Sequence, residues 1–251
     1  MLRRVIAGLG LAVVFASSAA AQTFQDSDWS LSARLSCGVP KQAVGAKPVA
    51  WGRIKGDRKL VFTLAPGQVG ACGTDDQRRH RAPYWERIEL ATQPLPGARR
   101  VHLGFEVTFL QGFDNARETF FQIHNWARGC DAYPPLMLKF DRGLLQVMTL
   151  RGRSLNGGSR KGRHRPAQIP PVHIDALTGS PQRFDLWLDF SSPNTGQLRL
   201  SLNGQTLVSG APISRASCAP LFAKFGIYRP GPAGSISQAA FDDIRMTTGQ
   251  K

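Results

Sequence analysis

Three short segments place polar side chains at alternating positions between apolar ones. In WERIEL, Arg87 and Glu89 alternate with Ile88 and Leu90. In FFQIHNW, Gln122 and His124 flank Ile123, and in KFGIY, Lys224, Gly226 and Tyr228 alternate with Phe225 and Ile227. An arginine offers a planar fork of donors that fits a carboxylate. A glutamine amide adds N–H donors without adding a base. A histidine titrates near neutral pH and can accept a proton, and a tyrosine hydroxyl can return one. The charge of Lys224 would lower the pKa of Tyr228 if the two lie close. Together these residue types suit the neutralisation of a carboxylate and the movement of a proton beside it, with aimed donors holding the charge that develops.

Such chemistry needs elements that bring the segments together. Alternation with a period of two is the mark of a strand with one face buried and one presented. In an extended FFQIHNW, Phe120, Gln122, His124 and Trp126 share one face, and Phe121, Ile123 and Asn125 share the other. If the three strands are neighbours in a sheet, Arg87, Gln122, His124, Lys224 and Tyr228 converge on one surface. The rest of the chain reads the same way. VHLGFEVTFL, PLMLKF, LLQVMTL, RFDLWLDF, QLRLSLNGQTLVSG and AFDDIRM alternate between frequent glycines and prolines. Asn203-Gly204 is the strongest hairpin signal, since both residues tolerate positive φ. Many short strands at regular spacing predict an all-β sandwich or jelly roll. With no internal repeat and no long linker, residues 22–251 are expected to form a single domain.

Residues 1–21 lie outside that domain. MLRR, an apolar run and SSAAA have the layout of a secretory signal peptide cleaved after Ala21. The protein is therefore expected to be exported, to a periplasm or to the medium. In an oxidising compartment the four cysteines, Cys37, Cys72, Cys130 and Cys218, predict two disulfides, for which three pairings are open. No C-x-x-C spacing points to zinc. A formal net charge of +15 on 251 residues suggests an anionic partner. Export and the lack of a recognition motif argue against nucleic acid, and no second segment is apolar enough for a membrane. Residues 151–166, RGRSLNGGSRKGRHRP, hold six Lys or Arg residues and read as a flexible basic loop beginning at Arg151.

In order along the chain, R-I-E-L, Q-I-H and K-F-G-I-Y resemble the motifs of jelly-roll polysaccharide lyases. Alginate lyases of polysaccharide lyase family 7 carry R-[S/T]-E-L-R, Q-I-H and Y-F-K-A-G-x-Y. Here Ile88 replaces the usual hydroxyl residue, Ala91 replaces the second arginine, and the leading tyrosine of the third motif is missing. PPLMLKF, LSLNGQTLV and KFGIYRP look closer to glucuronan lyases and heparin lyase, and the resemblance spans residues 84–246. It implies a concanavalin A-like β-jelly roll and β-elimination on a uronic acid polymer, an anionic polysaccharide. A base removes the C5 proton beside the carboxylate, and an acid protonates the departing O4. Catalytic roles are implied for Gln122, His124, Tyr228 and Arg87. His80, Lys224, Glu89, Asn125 and Arg151 are further candidates for catalysis or substrate binding. Either His80 or His124 is the base, or one only orients the substrate, and Tyr228 is the acid or, on a syn substrate, both base and acid. The chemistry requires no cofactor or catalytic metal and is compatible with a structural cation such as calcium. A monomer is expected.

Two other functions fit parts of the pattern. A non-catalytic carbohydrate-binding or lectin-like jelly roll would share the fold, the basic groove and the exposed aromatics, without needing His124 or Tyr228. A retaining glycoside hydrolase would need paired carboxylates. The four glutamates are Glu86, Glu89, Glu106 and Glu118, and Glu86 and Glu89 face opposite sides of a strand.

Overall fold

The structure, a computed structural model, describes residues 22–23, 49–70, 75, 84–95, 97–110, 112–113, 117–127, 130, 133–152, 163–192, 196–215 and 218–249. The expected signal segment, His80, Cys37 and Cys72 all lie outside these residues, as does most of the basic loop.

Among the described residues, fourteen strands build two antiparallel sheets. In chain order they are β1 (Gln22–Thr23), β2 (Val49–Ile54), β3 (Asp57–Leu64), β4 (Trp85–Ala91), β5 (Arg100–Phe109), β6 (Glu118–Asn125) and β7 (Leu136–Asp141). There follow β8 (Leu144–Arg151), β9 (Arg163–Pro166), β10 (Gln182–Asp189), β11 (Gly196–Leu202), β12 (Gln205–Ile213), β13 (Leu221–Pro230) and β14 (Ser237–Gly249). One sheet has the order β12-β11-β10-β5-β14-β3-β2, with β1 added to β14, and the other has β4-β13-β6-β7-β8-β9. This is the all-β jelly roll that the alternating segments predict. Asn203-Gly204 turns β11 into β12 with φ of 50° and 80°. Lys55-Gly56 and Arg142-Gly143 make the same kind of two-residue turn, with both φ positive.

The sheets are held together by phenylalanines on their facing sides. Phe105 of one sheet stacks on Phe121 of the other at 4.9 Å and meets Phe225 edge-on at 5.4 Å. Phe109 meets Phe120 at 5.0 Å and Phe140 at 5.2 Å. Edge-to-face and offset contacts of this kind add roughly 0.5–1.5 kcal/mol per pair beyond area burial. A disulfide joins Cys130, beyond the end of β6, to Cys218, before the start of β13, across a sequence separation of 88.

Strict alternation fails at one residue that matters. Phe120 is expected on the face of Gln122 and His124, but it is 1 % exposed and packs against Phe109 and Phe140. The register of β6 slips between Thr119 and Phe121. The extra residue is a bulge, so Phe120 and Phe121 both turn inward. The basic loop also departs from expectation at its end: residues 163–166 pair with β8, with Arg163 opposite Arg151.

Candidate functional site

The order β4-β13-β6 makes the three motif strands neighbours, with β13 in the centre. Their register aligns the polar positions. Tyr228 lies opposite Arg87, Lys224 opposite Gln122, and Phe222 opposite His124. All of these stand on the face turned away from the phenylalanine core, because the alternate residues Ile88, Ile123, Phe225 and Ile227 fill that core. Gly226 lies opposite Glu89 at φ 137°. A Cβ there would run into the backbone of Ile88 and Glu89, so only glycine lets β4 and β13 approach this closely.

Charge in the cluster centres on Glu89. Its carboxylate accepts from Gln122 Nε2 at 2.5 Å, Arg87 Nη1 at 3.1 Å and Lys224 Nζ at 3.5 Å. The other terminal nitrogen of Arg87 donates to Asp75 at 2.8 Å. Arg87, Glu89, Gln122, Lys224 and Asp75 are all buried. Two cations thus balance two carboxylates, and Gln122, two residues before His124 on β6, is bonded to this ionic floor. The Arg87 Nε is buried with no hydrogen-bond partner.

Above this floor stand the two proton-transfer candidates. Tyr228 is half-buried, stacked on Trp85 at 4.8 Å, with the Arg87 guanidinium 4.0 Å from its ring centroid. Burial raises its pKa to about 12, against the lowering charge of Arg87. Its hydroxyl therefore keeps its proton at neutral pH. Lys224 turns to Glu89 instead of acting as the cation that would lower it. His124 is half-buried and lies flat against Phe222, with ring centroids 5.3 Å apart and planes 9° apart. Burial, then the charges of Lys224 and Arg87, lower its pKa to about 3. His124 is thus a neutral imidazole, and its buried Nδ1 has no hydrogen-bond partner.

The remaining candidates divide. Asn125 is fully buried on the opposite side of β6 from His124. Arg151 stands on β8, three strands from β13. It bonds Thr149 Oγ1 at 3.4 Å and lines a groove of about 520 Å³ with Pro166, Gln168 and β12. Among the described residues no group of three His, Cys, Asp or Glu side chains is arranged to hold a metal ion.

Sequence reasoning missed three participants. Asp75 sits in a run of acids and arginines with no periodicity to mark it. His164 on β9 donates from Nε2 to the Pro134 carbonyl at 2.8 Å, and its charge would act on His124. Arg229, next to Tyr228, points inward and is fully buried. It donates to Glu86 at 2.7 Å, Glu118 at 2.9 Å and the Ser235 carbonyl at 2.7 Å. A signal for this one exists: parity sends Arg229 and Glu86 to the apolar side together, where neither is stable unpaired.

No protein-family model matches the chain, and no curated protein matches it by sequence. Solved structures match it by shape. The endo-β-1,4-glucuronan lyase from the fungus Trichoderma reesei aligns with a TM-score of 0.56 at 16 % identity, over 84 % of this chain and 91 % of that one. The alginate lyase vAL-1 from Chlorella virus aligns with a TM-score of 0.56 at 14 % identity, over 91 % and 99 %. Alginate lyase A1-II′, of polysaccharide lyase family 7, aligns with a TM-score of 0.56 at 14 % identity, over 83 % and 86 %. Across these relatives the jelly roll is the shared property.

Proposed function

We propose that this chain is an exported polysaccharide lyase that cleaves a uronic acid polymer by β-elimination on the outer face of β4, β13 and β6. The observation that carries the reading is the pairing of a proton-holding tyrosine and a proton-free histidine over one ionic floor. Tyr228 keeps its proton at neutral pH, the form that an acid protonating the departing O4 needs, and its pKa of about 12 makes the charge developing on O4 the driving force for the transfer. His124, held neutral, is in the proton-free form that a base taking the C5 proton needs, and its pKa of about 3 makes it a weak base until substrate raises it. Glu89 and Asp75 hold Arg87, and Glu89 holds Gln122, so these donors are oriented before substrate arrives. A uronate carboxylate bound on this face would lie near Lys224 and Arg87, whose charges act on His124. Its negative charge offsets Lys224 and Arg87 and so raises the basicity of His124 when a proton must be taken. Export is supported by the basic signal-like leader and the Cys130–Cys218 disulfide.

One observation favours a second reading. Both terminal nitrogens of Arg87 and the Gln122 amide already bond carboxylates of this chain, which leaves fewer donors for a substrate carboxylate than the motif suggests. A binding module would tolerate that closure. The purified protein should be offered alginate, glucuronan, heparin and related polymers while ultraviolet absorbance is followed for unsaturated uronate ends. New absorbing ends on one of them are expected. Tight binding with no such ends on any polymer sinks the lyase reading in favour of the module.

A further inference from the structure

The eight-stranded sheet carries an organised row of side chains on its outer face, far from the motif strands in topology. Cross-strand register aligns Arg199 of β11, Trp187 of β10, His102 of β5 and Thr247 of β14. Trp187 is 44 % exposed, although strands of this sheet bury most of their large apolar side chains. Its ring and that of the exposed His102 lie stacked, with centroids 4.6 Å apart and planes only 9° apart. A groove of about 470 Å³ runs beside the tryptophan and is lined by Arg199, Ser201, Thr206 and Ser209.

Charges around this row are asymmetric. The acids in the flanking rows are taken: Asp189 by Arg100 at 3.3 Å, Asp185 by Arg183 at 3.4 Å, and Asp243 by Arg183 and Arg245. Arg199 is exposed and, among the described residues, forms no ion pair. It stands one strand from Trp187, about 5 Å away across the sheet. An aromatic face beside an unpaired guanidinium and three hydroxyls fits one chemistry. A sugar ring lays its apolar C–H face on the tryptophan, its carboxylate meets Arg199, and its hydroxyls meet the serines and threonine.

We propose that this face is a second binding site for an anionic, uronate-containing polysaccharide. The ligand class rests on the proposed function, since the polymer held here is the one cleaved on the other sheet. Binding on the opposite face would keep the polymer near the enzyme between cleavage events. The two sites are separate because the core lies between the sheets that carry them.

Affinity electrophoresis of the full chain tests it, in native gels containing alginate, glucuronan or neutral dextran. Trp187→Ala and Arg199→Gln are both compared with the wild type, after melting curves establish that each is folded. All three proteins are run in a Tyr228→Phe background, so that cleavage does not alter the gel. At least one polyuronate should retard the parent, and each variant should bind roughly tenfold more weakly, the scale of uncovering one aromatic face. The loss from Arg199→Gln should shrink as salt is raised. Rates on a short uronate oligomer, measured without the Tyr228 change, should stay the same. Equal retardation of parent and variants, no retardation by any polyuronate, or equal retardation by dextran overturns the proposal. Failure of the lyase reading looks different: no polymer is cleaved, while retardation dependent on Trp187 persists.

Discussion

Replacing His124 with glutamine should make the fold less sensitive to acid, by an amount that follows from its setting. An ordinary histidine titrates near 6.5, and the folded protein holds His124 down at about 3. Burial is the main cause, followed by the charges of Lys224 and Arg87, with His164 acting in the same direction against a backbone bond at Asn125. Between those two pKa values the unfolded chain binds a proton that the folded chain refuses. Stability therefore rises with pH through this window and falls as pH drops below about 6.5. At pH 5 the refusal costs about 2 kcal/mol relative to pH 8, because one pKa unit corresponds to about 1.4 kcal/mol. For a domain of this size that is a fall of roughly 4–8 °C in melting temperature. Urea denaturation of wild type and His124→Gln at pH 8, 6.5 and 5 isolates the effect, since all other titrating groups are common to both. The wild type should lose about 2 kcal/mol more than the variant between pH 8 and pH 5. Parallel losses would refute the claim that His124 is kept neutral by its surroundings.

Other perturbations read other parts of the structure. Glu89→Gln removes the negative charge that Arg87 and Lys224 share and turns one of its two acceptor oxygens into a donor, so kcat on a responsive uronate polymer should fall by roughly ten-fold or more, the scale of losing oriented donors, while Trp187-dependent polymer retention is unchanged. Arg229→Ala leaves Glu86 and Glu118 buried without their cation, and chemical denaturation should register a loss of roughly 3–5 kcal/mol. Arg229→Met with Glu86→Gln and Glu118→Gln should recover much of it, because no charge is then left stranded. Replacing both Cys130 and Cys218 with alanine opens a long covalent loop, and the melting curve should report a loss of about 2–4 kcal/mol.

Much of this molecule was legible because a half-buried strand writes its orientation into alternate residues. Ile88, Ile123, Phe225 and Ile227 announced one inward side, and register then had to place Arg87, Gln122, Lys224 and Tyr228 on the other. The hairpin at Asn203-Gly204 was equally plain, whereas Lys55-Gly56 and Arg142-Gly143 hid because Lys and Arg seldom accept positive φ. Phe120 escaped because a bulge has no sequence period: one extra residue reverses the parity of everything before it. The ionic floor escaped for a different reason. Alternation says that Arg87 and Gln122 face outward, but not that Asp75 and Glu89 will already occupy their donors. Spacing two on one strand allows the Arg87–Glu89 pair, but the bonds of Asp75 with Arg87 and of Glu89 with Gln122 and Lys224 come from tertiary contact, which neither spacing nor composition encodes.

The central claim is that Tyr228 and His124 move protons on a bound uronate. Tyr228→Phe tests it most directly, because the ring still stacks on Trp85 and lies under Arg87 while the hydroxyl is gone. Formation of unsaturated ends should be measured for wild type and variant on the polymer that responds best, together with binding of that polymer. A fall in kcat of at least roughly a hundredfold, the scale of losing a general acid, with polymer affinity kept within a few fold, is the predicted result. A variant that cleaves as fast as the wild type, or chain ends that appear without unsaturation, would contradict the account.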